Sequence, residues 1–174
     1  IRDRVLLLLL LLCFLVSAVS SIFPTLGSGL ANAVSGTSYA SEDADLLGVD
    51  EDYTALENEL AQTVANIEST HPGYDEYRYS VDEIGHNPYE LASYLSAKYH
   101  VYTREQVQDE LREIFEAQYE LTLTEEVEVR YRTETRTDSE GNSYTVEVPY
   151  NYYILNVTLT NKTLPAVILP RLNE

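Results

Sequence analysis

The chain has 174 residues, room for one domain with appendages, and a formal charge of −18 from 29 acidic and 11 basic side chains. A surface this acidic repels nucleic acid and makes anionic wall polymers poor partners unless cations bridge them. A single cysteine, Cys13, lies inside an apolar run, which excludes disulfides, cysteine-zinc clusters and a cysteine nucleophile anywhere else in the chain.

Arg2 and Arg4 precede a run, Val5 to Phe23, that carries no charge. Its length is close to the roughly 20 residues a helix needs to cross a bilayer core of about 30 Å. No Lys or Arg occurs from Pro24 to Tyr77, so the positive-inside rule puts the N-terminus in the cytoplasm and the bulk of the chain outside. The expectation is a single-pass transmembrane anchor over residues 1–23 in the cell membrane. A cleaved signal is the rival, because Ala31-Asn32-Ala33 has the small-x-small pattern of a cleavage site. The chain contains no Met and is read as a piece of a longer protein.

Residues 24–52 are rich in Gly, Ser and Ala and then in acids, which predicts a flexible acidic linker. An extracytoplasmic α+β domain is expected over 53–161. Tyr53, Leu56, Leu60, Val64 and Ile67 recur at helical steps and predict a first helix with Glu57, Asn58, Gln62 and Asn66 on its wet face. Glu76 to Val81 alternates like a short strand. Asn87-Pro88-Tyr89-Glu90 then predicts a helix start, with Asn87 as cap and Pro88 where its missing N–H costs nothing. That second helix runs to Tyr99 and buries Leu91, Ala92, Tyr94, Leu95 and Tyr99.

Thr103-Arg104-Glu105-Gln106 forms a second capping box, with Tyr102 and Val107 at the positions of a hydrophobic staple. The third helix buries Val107, Leu111, Ile114 and Phe115. From Tyr119 the period changes to two, predicting a long strand with one buried face. Residues 138–142 are a turn, and a partner strand returns from Ser143 to Asn161. In it the apolar positions change parity between Tyr152 and Leu155, which implies a bulge or a strand covered on both faces, with the bulge the favoured reading. The fold expected is therefore three helices packed on a long antiparallel β-hairpin. Residues 162–174 are read as the start of a connection to a C-terminal module.

Chemistry is sparse. His71, His86 and His100 lack the spacing of a metal site and are read as making local hydrogen bonds, so no cofactor or metal is expected. Glu83 and Glu90 are the carboxylates worth testing as a glycosidase pair, because tyrosines and histidines surround them. No Gly-rich phosphate loop or G-x-S-x-G setting occurs. Tyr74, Tyr77, Tyr79, Tyr89 and Tyr94 are candidate partner contacts, since tyrosine offers wide contact area at low entropic cost, with core packing as the alternative.

The order of features, a membrane run, an acidic stretch, then "PGYDEYRY", "IGHNPYELASYLSAKY" and "QYELTLTEEVEVRYR", resembles the membrane-proximal region of cell-wall hydrolases encoded by conjugative transposons of Gram-positive bacteria. In that family the segment precedes an NlpC-like or lysozyme-like catalytic module. The resemblance implies a non-catalytic anchoring and docking region of a peptidoglycan hydrolase serving conjugative transfer, with conjugation or secretion-channel proteins as partners. Two other functions stand beside it: a structural subunit of a type IV secretion-like channel that assembles through the hairpin, and a self-contained wall-glycan hydrolase using Glu83 or Glu90.

Overall fold

The computed structural model describes residues 39–172. The expected anchor over 1–23, Cys13 and the Ala31-Asn32-Ala33 site lie outside the described residues. Among the described residues no helix is long and apolar enough to cross a membrane. They form an α+β fold of five helices, one short 3-10 turn and a mixed three-stranded sheet, divided into two compact units.

The first unit contains the residues up to Asn66, Asp82–Glu120 and the residues from Thr160 on. Its longest helix, α1, spans Asp43–Ala65 and so starts ten residues before the period beginning at Tyr53 predicts. Asp43 and Asp45 sit in its first turn, where carboxylates complement the helix dipole. Leu46 and Val49 are buried, so the acidic end of the expected linker is helix with an apolar face. That face is also rotated from the expected one: Leu46, Val49, Tyr53, Glu57, Ala61 and Val64 are buried, while Leu56 and Leu60 are partly exposed. Glu57, assigned above to the wet face, is in the interior.

Between the units' segments the chain forms a four-residue helix, α2, Ile67–Thr70, and the strand β1, Glu76–Val81. The helix α3, Pro88–Tyr99, begins as expected, with the Asn87 side chain accepting from the Tyr89 N–H. It ends in a tight turn at His100, φ 63°, ψ −64°, where Val101 N–H donates to Tyr99 C=O at 2.7 Å. Such a γ-turn is a strained conformation for a non-glycine residue. Tyr99, expected in the core, is exposed. It is the last residue of the helix, and its hydroxyl reaches the Glu110 carboxylate. Residues Glu105–Val107 form the 3-10 turn that leads into α4, Gln108–Gln118, and the Gln106 side chain accepts from the Thr103 N–H at 3.1 Å. Tyr102 and Val107 are buried together in the helical core, as the staple predicts. The last helix, α5, is Leu164–Arg171. Leu164 and Ile168 belong to the same core cluster as α1, α3 and α4, so the residues expected to start a connection also pack into this unit.

The second unit is Ile67–Val81 with Leu121–Leu159. Two long strands, β2, Tyr119–Thr137, and β3, Ser143–Asn161, form the sheet with β1 in the order β1-β3-β2. β1 pairs with β3 in parallel, Glu76 opposite Ile154 through Val81 opposite Leu159. The short strand is where the alternation predicts it; its parallel pairing with β3 was not anticipated. The register with β1 is one-to-one through Ile154 and Leu155 and both are fully buried, so the parity change reflects a central strand covered on both faces there and not the favoured bulge. At residues 138–142 the Asp138 carboxylate accepts from the Glu140 and Asn142 N–H groups, and Gly141 takes a φ of 90° that suits glycine.

The two faces of this sheet differ. On one, Leu155 and Val157 pack with Ile67, and Tyr74, Tyr77, Leu121 and Leu123 lie against them. On the other, Arg78 pairs with Glu76 and Glu128, Arg130 pairs with Glu128, and the Arg130 guanidinium stacks 3.3 Å over the Tyr152 ring. The expected continuous buried face of β2 stops at Leu123. Val127, Val129 and Tyr131 continue its odd-numbered side but are more than half exposed, because the apolar cluster over that face extends no further.

Candidate functional site

Among the described residues of the helical unit, the histidine that meets carboxylates is buried. Asp50, Tyr53 and Glu57 are spaced i, i+3, i+7 on α1, which puts them on one side of the helix. His86 enters from the segment just before the Asn87 cap. Its Nδ1 lies 3.0 Å from Glu57 Oε2 and its Nε2 3.0 Å from Asp50 Oδ1. The side chains of His86 and Glu57 are each 1% exposed, that of Asp50 27%. The second Glu57 oxygen accepts from the Tyr119 hydroxyl at 2.8 Å, and that hydroxyl in turn accepts from the Gly85 N–H at 3.0 Å. Tyr53 packs edge-on against His86, 4.7 Å between ring centres, and donates to Gln118 Oε1 at 2.7 Å. Gln118 continues to Asn161, which donates to the Glu83 carbonyl.

A ring nitrogen that faces a carboxylate oxygen at this distance is held there by donating a proton, and both nitrogens of His86 do so. The ring is therefore an imidazolium. Burial works against its charge, but the hydrogen bonds and negative charge of Asp50 and Glu57 outweigh burial and push its pKa up to about 9. Burial, reinforced by the Glu57 carboxylate, drives the Tyr53 and Tyr119 hydroxyls far above the ordinary tyrosine range, so both remain donors. A buried carboxylate needs such partners, since an uncompensated buried charge costs several kcal/mol.

This arrangement is closed. His86 has no lone pair left to act as a base or to ligate a metal, and both Glu57 oxygens are occupied. Among the described residues no group of three or more His, Cys, Asp or Glu side chains is placed to hold a metal ion.

The residues singled out from sequence are dispersed. Glu83 is exposed and Glu90 is partly buried in the first turn of α3; the carboxylate next to a histidine is Glu57 instead. His71 is exposed after α2, its Nδ1 3.0 Å from Thr70 Oγ1, and His100 is the residue of the γ-turn. Tyr94 is 2% exposed in the helical core, which removes it from any contact surface; its hydroxyl donates to Glu110. Glu110 also holds Lys98 at 2.8 Å and the Tyr99 hydroxyl at 3.2 Å. Tyr74 and Tyr77 lie half-buried against the sheet cluster, with the Tyr77 hydroxyl donating to the His71 carbonyl. Tyr79 and Tyr89 are exposed and remain available to a partner. Sequence reading missed Glu57, Asp50 and Tyr119. The signal was a carboxylate one helical turn from Tyr53 on a stripe that also holds Leu46 and Val49.

Comparison with protein-family models, with curated proteins and with solved structures finds no match to this chain, so its function is read from the residues themselves.

Proposed function

We propose that the chain is a non-catalytic anchoring and docking region of a peptidoglycan hydrolase serving conjugative transfer, held to the cell membrane through residues 5–23 with its folded part outside. One observation carries the non-catalytic half of this reading: His86 and Glu57, the pair most suited to chemistry, are buried, with both ring nitrogens and both carboxylate oxygens taken up by protein partners. Such a site stabilises a fold and offers nothing to a substrate. Anchoring would raise the effective concentration of a linked hydrolase near a transfer channel and confine its action there. Exposed Tyr79 and Tyr89 are the docking contacts that remain of the five proposed.

The test is a zymogram on purified peptidoglycan that compares this chain with the full product of its native locus. Clearing by the longer product alone is expected. Clearing by the chain itself overturns the reading and makes Glu83 and Glu90 the next substitutions.

A second reading, a structural subunit of a type IV secretion-like channel, draws on β2. With β2 and β3 taken as a long antiparallel hairpin, its exposed Val127, Val129 and Tyr131 form an assembly surface. Co-purification of the chain with channel proteins in place of a hydrolase would favour it.

A further inference from the structure

We infer that the free edge of β2 pairs antiparallel with β2 of a second copy of this chain, about a two-fold axis at Val129. This does not depend on the hydrolase reading.

β2 is an end strand in the order β1-β3-β2, 19 residues long, and among the described residues its outer edge has no strand beside it. An open edge is normally protected by charged side chains, lysine above all, by proline, by a bulge or by brevity, and the charges of β2 are Glu and Arg of both signs. β2 contains no Lys and no Pro. Its neighbour β3 differs: beyond the stretch that β1 covers, β3 carries Pro149, which offers no N–H to an incoming strand. Val127, Val129 and Tyr131, at 54%, 62% and 65% exposure, are residue types that favour paired strands and lie unburied on one face of this edge strand.

The charges select the occupant and the register. On the opposite face run Glu126, Glu128, Arg130, Arg132, Glu134 and Arg136. A two-fold at Val129 sets Glu126 opposite the second copy's Arg132 and Glu128 opposite its Arg130, each twice. On the apolar face it sets Val127 against Tyr131 and Val129 against itself. Neighbouring two-folds each oppose like charges. At Val127, Glu126 meets Glu128; at Glu128 or Arg130, that residue meets its own copy; at Tyr131, Glu128 meets Glu134 and Arg130 meets Arg132. Directly opposed like charges destabilise a strand pair, whereas opposite charges and aromatic or β-branched pairs stabilise it. Arg130 and Glu128 already pair within one chain at 2.8 Å, so a second copy extends that ladder. The contact is the same patch on both copies and closes on itself.

The experiment uses the whole chain in detergent micelles, with Cys13→Ser and single cysteines at positions 125, 129 or 133. Residues opposite one another across the two-fold have Cβ atoms about 4.5–5.5 Å apart, so Val129→Cys forms an oxidant-driven dimer at least tenfold faster than Glu125→Cys or Thr133→Cys. Each of those would be about 27 Å from its own copy at the usual rise per residue. Sedimentation equilibrium should show a dimer that Glu128→Arg weakens and Glu128→Arg with Arg130→Glu restores, circular dichroism confirming that each variant is folded. A monomer, or cross-linking equal at all three positions, overturns the proposal; equal cross-linking would place any association elsewhere in the chain.

Discussion

The helical and sheet units are built from the same chemical parts, carboxylates, a cation and tyrosines, and use them in opposite ways. Around His86 the charges are few in number, the His86–Glu57 pair is sealed from water, and both ring nitrogens face a carboxylate oxygen. On the sheet, Glu76, Arg78, Glu126, Glu128 and Arg130 form a ladder whose side chains are a third to nearly half exposed. Burial, more than the identity of the groups, decides whether an ion pair defines a structure or merely decorates it: desolvation makes a mismatch expensive inside, and water and salt screen the pair outside.

The largest test of that contrast is to remove one partner of the buried set. Glu57→Leu leaves the His86 cation without its fully buried counter-ion, and His86→Leu does the reverse to Glu57. Each should lower unfolding free energy by about 3–5 kcal/mol in chemical denaturation. A loss below about 1 kcal/mol, the size found for surface pairs, would erase the distinction.

The next test is pH. His86 has a folded pKa raised to about 9 against an unfolded value of about 6.5. The folded state therefore binds the extra proton between these values. The stabilisation is fully present below about pH 6.5 and is lost as pH rises through about 9, a difference of about 3 kcal/mol. Denaturation midpoints should fall across that window, and His86→Gln should flatten the trend. An unchanged slope in the variant would show that another group is responsible.

A third test concerns Gly48, inside α1. A Cβ there would stand 2.7 Å from Arg104 Cδ, and Arg104 lies across the helix to hold Asp52 through two bonds of 2.8 and 2.6 Å. Gly→Ala inside a helix ordinarily gains about 1 kcal/mol. Gly48→Ala should instead lower the midpoint in the native chain and raise it in an Arg104→Ala background. The same sign in both would mean that the arginine yields without loss. Smallest of all, Arg78→Ala on the sheet face should leave the midpoint unchanged within error; a clear drop would mean that the ladder also defines its unit.

Much of the fold could be read from local signals that tertiary structure does not override. The Asn87-Pro88 start and the Tyr102-Val107 staple each depend on neighbours in sequence; the parity change at Ile154 and Leu155 is visible too, but periodicity alone favours a bulge there over the second cover that β3 receives. The failures share a cause. Glu57 was assigned to water because a carboxylate is rarely buried, and His86 and Tyr119, 29 and 62 residues away, make its burial tolerable. Asp43 to Asp52 read as linker because their acids outnumber their apolar residues, yet Leu46 and Val49 suffice to dock that turn against α3, α4 and α5. The parallel pairing of β1 with β3 joins residues far apart in the chain, which periodicity does not report.

The helical unit is assembled from three separate stretches of chain, with the whole of the sheet unit intervening before α5. Leu164 and Ile168 are therefore among the last core residues to leave the ribosome. Until they do, Leu111, Ile114 and Tyr94 lack one wall, and the Gln118 side chain waits for Asn161, 43 residues later. Closing contacts of that span costs entropy before it returns any stabilisation. Maturation of this unit is thus a late event in synthesis, and a chain halted before residue 160 would expose an unfinished apolar surface to chaperones and proteases.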